Sequence, residues 1–222
     1  DSTVTNRIQS YLEAHGAACM VRDVFHLESS DWEALKKEQF DCVLVLGGDG
    51  TLLRMAGETE DIDIPLFGIN LGTVGFLTEG EVANIEEILD RLLTDDFTIE
   101  ERMMVTGTVT KADGTTYRKS ALNDIVISRA GFSRLIGLNV SVDGQVLDTY
   151  EADGVVISTP TGSTGYNLSA GGPIVSPDAE LLVITPVSPH SLTAKSIVLS
   201  GKEEITIEIT KKRKTQDTEA IC

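Results

Sequence analysis

The chain has 222 residues, 41% of them hydrophobic, enough to bury a sizeable core in one large domain or two small ones. Its 18 Lys and Arg stand against 35 Asp and Glu, a net charge of -17, so the mean field repels nucleic acid and anionic membrane surfaces and any phosphate site must be local. Cys19, Cys42 and Cys222 are odd in number without a Cys-x-x-Cys pair, and no membrane-length apolar run or signal-peptide pattern is present; a soluble protein of a reducing, cytoplasmic compartment is expected.

Residues 3–15 carry Ile8, Tyr11 and Leu12 at helical spacing behind a Ser2/Thr3 cap, with Gly16 where a left-handed C-terminal residue belongs. Cys19 to Phe25 reads as a short strand, and Ser30-Asp31-Trp32-Glu33 has capping-box spacing before a brief helix ending near Gln39. Next come five apolar residues, Cys42-Val43-Leu44-Val45-Leu46, too few for a helix and without alternation. This predicts a parallel-sheet strand buried on both faces, with helices on either side.

That strand empties into Gly47-Gly48-Asp49-Gly50-Thr51. The glycines remove Cβ atoms where phosphates would approach the backbone, and Thr51 is placed to cap a helix running to about Ala56, whose N-terminus favours an anion. The loop is neither a Walker loop nor a Gly-x-Gly-x-x-Gly fingerprint. A carboxylate at its centre would repel phosphate unless it holds a metal or accepts a proton from an attacking hydroxyl, so Asp49 points to phosphoryl transfer. An acidic linker, Glu58 to Asp63, precedes a second strand, Ile64 to Ile69, and a second glycine loop, Asn70 to Leu77. Loops leaving neighbouring parallel strands should share one edge and face a common guest. A helix from Val82 to Leu93, with Ile85, Ile88, Leu89 and Leu92 inward, closes an α/β domain over 1–96.

From about Phe97 the period becomes two. Val105, Gly107 and Val109 alternate with threonines before a turn at Asp113-Gly114, and Leu138, Val140 and Val142 alternate before Asp143-Gly144. Runs at Val155 to Ile157, Leu181 to Ile184, Ile197 to Leu199 and Ile205 to Ile209 continue without helix signals, so 97–222 is expected to be β-rich. The segment from Asp153 through Ser158-Thr159-Pro160-Thr161-Gly162-Ser163-Thr164-Gly165-Tyr166 to Pro173 suits a nucleoside pocket, in which Tyr166 stacks or caps a ribose, or equally a turn-rich loop. Asn123-Asp124 can hold vicinal hydroxyls or a base edge, or form an Asx turn. Lys211 to Lys214 reads as a solvated hairpin end, His190 carries no assigned role, and His15 and His26 suggest no metal site.

Gly47-Gly48-Asp49-Gly50-Thr51, Asn123-Asp124 and the segment 153–173, in this order and spacing, resemble the NAD kinase family over nearly the whole chain. The first motif is shared with diacylglycerol and sphingosine kinases; the Ser-Thr-Pro-Thr-Gly-Ser-Thr-Gly-Tyr segment is far more specific. The resemblance implies an α/β N-terminal domain with a parallel sheet and a mostly antiparallel, β-sandwich-like C-terminal domain. It further implies NAD bound in the crevice between them, within a homodimer or homotetramer. By the same matching, Asp49 is the base for the 2′-hydroxyl of the adenosine ribose. Gly50, Phe76, Asn123, Asp124, Asp153, Thr161, Thr164, Gly165, Tyr166 and Ser169 line the NAD site, and Gly47, Gly48 and Thr51 cradle the phosphates of Mg-ATP.

Two stretches depart from the family pattern: Glu151-Ala152-Asp153-Gly154 where many members have Arg-Gly-Asp-Gly, and Lys195-Ser196 where many have Arg-Pro. The family's opening and final strands are expected to lie outside these 222 residues. The reaction implied is direct γ-phosphoryl transfer from ATP to NAD without a phosphoenzyme. The alternatives are a lipid kinase, which needs an apolar acceptor pocket or membrane-binding face, and a silent nucleotide-binding regulator, which would have no use for the motif carboxylate.

Overall fold

The computed structural model describes residues 2–23, 26, 29–38, 40–72, 75–130, 135–191, 193–210 and 220–221. The chain falls into two compact units, Asp1–Glu100 and Glu101–Cys222.

In the first unit, α1 (Ser2–Ala14) and α2 (Ser29–Lys37) precede β1 (Val43–Gly47), α3 (Asp49–Glu58), β2 (Leu66–Asn70) and β3 (Gly80–Glu81); a 3-10 turn, Val82–Asn84, then leads into α4 (Ile85–Leu93). β1, β2 and β3 form a parallel sheet, with Val43 opposite Leu66 and Gly47 opposite Asn70. Side chains alternate across β1 and therefore feed two cores. Leu44 and Leu46 join Ile69 and the buried Val4, Ile8, Ile85 and Leu89 of α1 and α4. Val45, with Val43 at its margin, packs with Leu52 and Met55 of α3 and with Trp32 of α2. Helices thus cover both faces, as the apolar run of β1 predicts. Ile69, Ile85 and Leu89 are fully buried, each contributing about 1.5–3 kcal/mol of transfer free energy.

Two expectations fail here. Residues 19–23 form no strand, because Arg22 and Asp23 break the apolar pattern and the Arg22 guanidinium turns to Asp31 at 2.5 Å; residues 24 and 25 lie outside the described set. Nor does Thr51 cap α3. The helix starts at Asp49 with Gly48 as its N-cap, without a side-chain cap bond, so Thr51 already sits inside the first turn.

The second unit is antiparallel. β4 (Val105–Thr110) and β5 (Thr116–Ala121) form a hairpin around Asp113-Gly114, where the Thr115 amide donates to Asp113 Oδ1 at 2.8 Å. β6 (Asp124–Arg129), β7 (Ile136–Val142), β8 (Gln145–Ala152) and β9 (Gly154–Ser158) follow, then a 3-10 turn (Thr161–Thr164) and α5 (Tyr166–Ser169). These two short helical pieces interrupt a half that is otherwise β-rich, as expected. β10 (Leu181–Val187), β11 (Ile197–Ser200), β12 (Ile205–Thr210) and β13 (Ala220–Ile221) complete the unit. The sheets run β11-β10-β9-β6-β13 and β12-β7-β8. One apolar cluster draws on both: Leu138 and Val140 of β7 and Ala152 of β8 meet Val155 of β9 and Ile184 of β10, all at 0% exposure, the interdigitation of a sheet-on-sheet core. Lys211 to Lys214 lie outside the described residues. Among the described residues no helix is long and apolar enough to cross a membrane.

Candidate functional site

The parallel pairing of β1 with β2 sends both glycine loops off the same edge of the sheet. Asp49, first residue of α3, meets the second loop there. Its Oδ2 accepts the Phe76 amide at 2.8 Å, and its Oδ1 accepts the amides of Leu77 and Thr78, both at 3.1 Å, and the Thr78 hydroxyl at 3.2 Å. Burial is the largest single influence on this carboxyl and would raise its pKa, but these hydrogen bonds to the charged form together outweigh it and hold the group below the usual carboxylate range.

In front of the first loop there is room. A Cβ at Gly48 or Gly50 would meet nothing, and the first intrahelical bond belongs to Thr51, whose amide reaches the Gly48 carbonyl at 3.0 Å. The amides before it are free of the helix ladder and, with the positive dipole end, make a place that favours an anion. Gly47 serves the loop differently. A Cβ there would come 2.5 Å from Thr51 Oγ1, so its bareness accommodates Thr51. Phe76 is 89% exposed beside the Asp49 carboxylate.

The second unit gathers the other expected residues around β6, β9 and α5. Asp124 opens β6 opposite Ser158, and half-burial pushes its carboxyl pKa up. The Asn123 carbonyl accepts the Thr159 amide at 2.8 Å and the Thr159 hydroxyl at 3.0 Å, which fixes the 3-10 turn against the start of β6. The side-chain Oδ1 of Asn123 is buried without a hydrogen-bond partner among the described residues. Asp153, Gly154 and Tyr166 line a cavity of ≈ 480 Å³ with Ser128, Arg129, Val187 and Ser188. Thr161 is buried and lies 3.4 Å from an Arg102 nitrogen, whereas Thr164 and Ser169 are exposed. Gly165 borders Asn123 and Asp124: a Cβ there would stand 3.7 Å from Asn123 Nδ2 and 3.9 Å from Asp124 Oδ2.

Sequence reasoning missed three contributors. Arg129 on β6 donates from Nε to Asp153 Oδ1 at 2.5 Å, so a guanidinium reaches Asp153 from the neighbouring strand although residue 151 is glutamate. Asn167, fully buried, donates Nδ2 to the carbonyls of Ser163 at 3.0 Å and Pro173 at 2.9 Å and accepts the Thr185 hydroxyl at 2.7 Å; Ser196 Oγ lies 2.9 Å from that hydroxyl, giving the Lys195-Ser196 departure a structural place. Thr78 is the third. A polar residue closing a glycine loop is the one signal that could have found it.

Residues 3–97 match the family profile described as the ATP-NAD kinase N-terminal domain, and residues 122–222 match the ATP-NAD kinase C-terminal domain. The chain is 46% identical over 223 residues to the NAD kinase of Lachnoclostridium phytofermentans, covering 99% of this chain and 78% of that protein. It is 44% identical over 220 residues to the NAD kinase of Agathobacter rectalis, covering 98% and 77%. Among solved structures, the NAD kinase from Archaeoglobus fulgidus in complex with ATP superposes with a TM-score of 0.77 at 29% identity, covering 92% of this chain and 76% of that one. The yeast NADH kinase complexed with NADH gives a TM-score of 0.71 at 34% identity, covering 77% of this chain and 51% of the yeast chain.

Proposed function

The chain belongs to the NAD kinase family, and we infer from that membership its reaction: transfer of the γ-phosphoryl of ATP to the 2′-hydroxyl of the adenosine ribose of NAD, giving NADP. The observation that carries this reading is the match of both halves to the two domains of one kinase. It also sets aside the lipid-kinase and silent-regulator alternatives that the loop motif alone leaves open.

In this reading Asp49 accepts the ribose proton. The bond from the 2′-oxygen to phosphorus forms, the bond from the γ-phosphorus to the bridging oxygen breaks, and ADP leaves. A carboxylate held below its usual pKa is a weak base, so it orients the hydroxyl first and takes the proton late, once bonding to phosphorus has acidified that hydroxyl. The open space before Gly48 and the helix amides support Gly47, Gly48 and Thr51 as the cradle of the donor phosphates. Gly47 and Thr51 act there through each other.

NAD recognition falls to Gly50, Phe76, Asn123, Asp124, Asp153, Thr161, Thr164, Gly165, Tyr166 and Ser169. Its support is the unpartnered Asn123 Oδ1, an acceptor suited to an N–H of the dinucleotide, and the cavity that Asp153 and Tyr166 border. Magnesium enters with ATP. Among the described residues no group of three or more His, Cys, Asp or Glu could hold it, which fits a metal carried on the donor phosphates and water with at most Asp49 as a protein ligand. It would neutralise developing phosphate charge. A homodimer or homotetramer is supported by exposed Val146 and Leu147 on the edge strand β8, and a cytoplasmic setting by free Cys19 and Cys42.

The test is incubation with NAD, ATP and Mg²⁺, with NADP read by an NADP-specific dehydrogenase. NADP formation dependent on all three is expected. ATP turnover without NADP, in a folded preparation, would contradict the assignment.

A further inference from the structure

We propose that Thr78 is the positioning residue for Asp49: its amide and hydroxyl anchor Oδ1 of the carboxylate and thereby leave Oδ2 to face the acceptor hydroxyl. This deepens the reading of Asp49 as proton acceptor and rests on it.

The two carboxylate oxygens are not equivalent. Among the described residues, Oδ1 receives three donors, from Leu77 N, Thr78 N and Thr78 Oγ1, whereas Oδ2 receives only Phe76 N. A carboxylate oxygen offers about two lone-pair directions, so Oδ1 is saturated and Oδ2 keeps one for a further donor. Hydrogen bonds to an ionised acceptor are the strong ones, so this asymmetry fixes which way the group is turned. Leu77 and Phe76 contribute through the backbone, which any residue supplies. Among the described residues, Thr78 alone adds a side chain.

Two glycines are shaped to this contact from opposite sides. Gly68 lies within β2, where a side-chain-less residue weakens a strand, yet a Cβ there would stand 2.8 Å from Thr78 Cγ2 and 3.1 Å from Thr78 Cα. Gly75 lies against the other partner, and a Cβ on it would overlap Asp49 Oδ1. Thr78 itself is 5% exposed, so the methyl packs into the gap at Gly68 while the hydroxyl turns to the carboxylate. Threonine is the side chain that does both.

If the contact were only structural, its loss would lower stability and leave the chemistry of the folded fraction untouched. Positioning predicts a loss confined to kcat. Thr78→Val keeps shape and removes the donor; we expect kcat per folded protein to fall about 5- to 50-fold, with the KM values for NAD and ATP within about twofold of the parent. Thr78→Ser should recover most of that kcat. Should Thr78→Val fail to fold, Thr78→Ala takes its place, and the proposal still requires Ser to exceed Ala in kcat.

Asp49→Asn is measured alongside. Parent-like kcat in Thr78→Val with an inactive Asp49→Asn overturns the anchor and leaves Asp49 as acceptor. Parent-like turnover in Asp49→Asn overturns both. Equal losses in the Ser and Ala variants, or a rise in KM alone, also overturn the anchor.

Discussion

Gly75 lies so close to Asp49 that any Cβ on residue 75 would overlap the carboxylate Oδ1. What matters there is the space that a Cβ would take from the carboxylate. Gly75→Ala should therefore push the carboxylate off its amide donors, lowering stability by about 1–3 kcal/mol and kcat by at least about tenfold. Chemical denaturation and steady-state assays on one preparation check both numbers.

Tyr166 lies at the head of a four-residue helix, 44% exposed and bordering the cavity with Asp153. Replacing it by Ala should weaken NAD binding by about 1–3 kcal/mol with little effect on melting. Calorimetric titration with NAD beside a thermal melt reads this, and a parallel loss in both would assign the ring to the core.

The carboxyl pKa of Asp124 is shifted in the opposite direction from that of Asp49. Burial raises its pKa, so the folded state favours the neutral form, and ionising the group as pH rises through the unfolded and folded values costs stability. Asp124→Asn should accordingly raise the melting temperature at neutral pH, while NAD affinity falls by about tenfold because a charged acceptor is lost. The gain in melting temperature should shrink towards acid, where the aspartate is already protonated. A variant that binds NAD normally would remove Asp124 from the site.

The buried hydroxyl of Tyr150 has no hydrogen-bond partner among the described residues, and burial, then the charge of Asp148, pushes its pKa up to about 12. Because the folded pKa lies above the unfolded one, stability should fall as pH rises beyond the ordinary tyrosine value. Tyr150→Phe removes both the unpaired hydroxyl and that alkaline loss. It should be neutral or stabilising by about 1 kcal/mol with unchanged kcat, read by denaturation at neutral and alkaline pH.

The layered core was legible because its signals are local. The five-residue apolar run of β1 announces a parallel sheet, the stripe from Ile85 to Leu92 an amphipathic helix, and Asp113-Gly114 and Asp143-Gly144 the hairpins of the second unit. What stayed hidden depends on partners distant in sequence. Asp49 lies 27 to 29 residues from its donors, and only the pairing of β1 with β2 brings them together. Arg129 reaches Asp153 because β6 and β9 are neighbours, which no spacing announces. Thr51 misled for a related reason. A hydroxyl before a helical pattern is a strong cap signal, but here the glycines let the helix begin three residues earlier, with Gly48 as its cap.

The most direct test of the account is to measure NAD binding and NADP formation on the same preparation of Asp49→Asn. The amide keeps the shape of the side chain and can still bond a ribose hydroxyl, but it cannot take the proton. The account predicts turnover reduced by about 10²–10⁴ with NAD affinity changed far less. Near-parent turnover would contradict it and leave the loop as a phosphate cradle only; binding lost in proportion to rate would make Asp49 a ligand-holding residue.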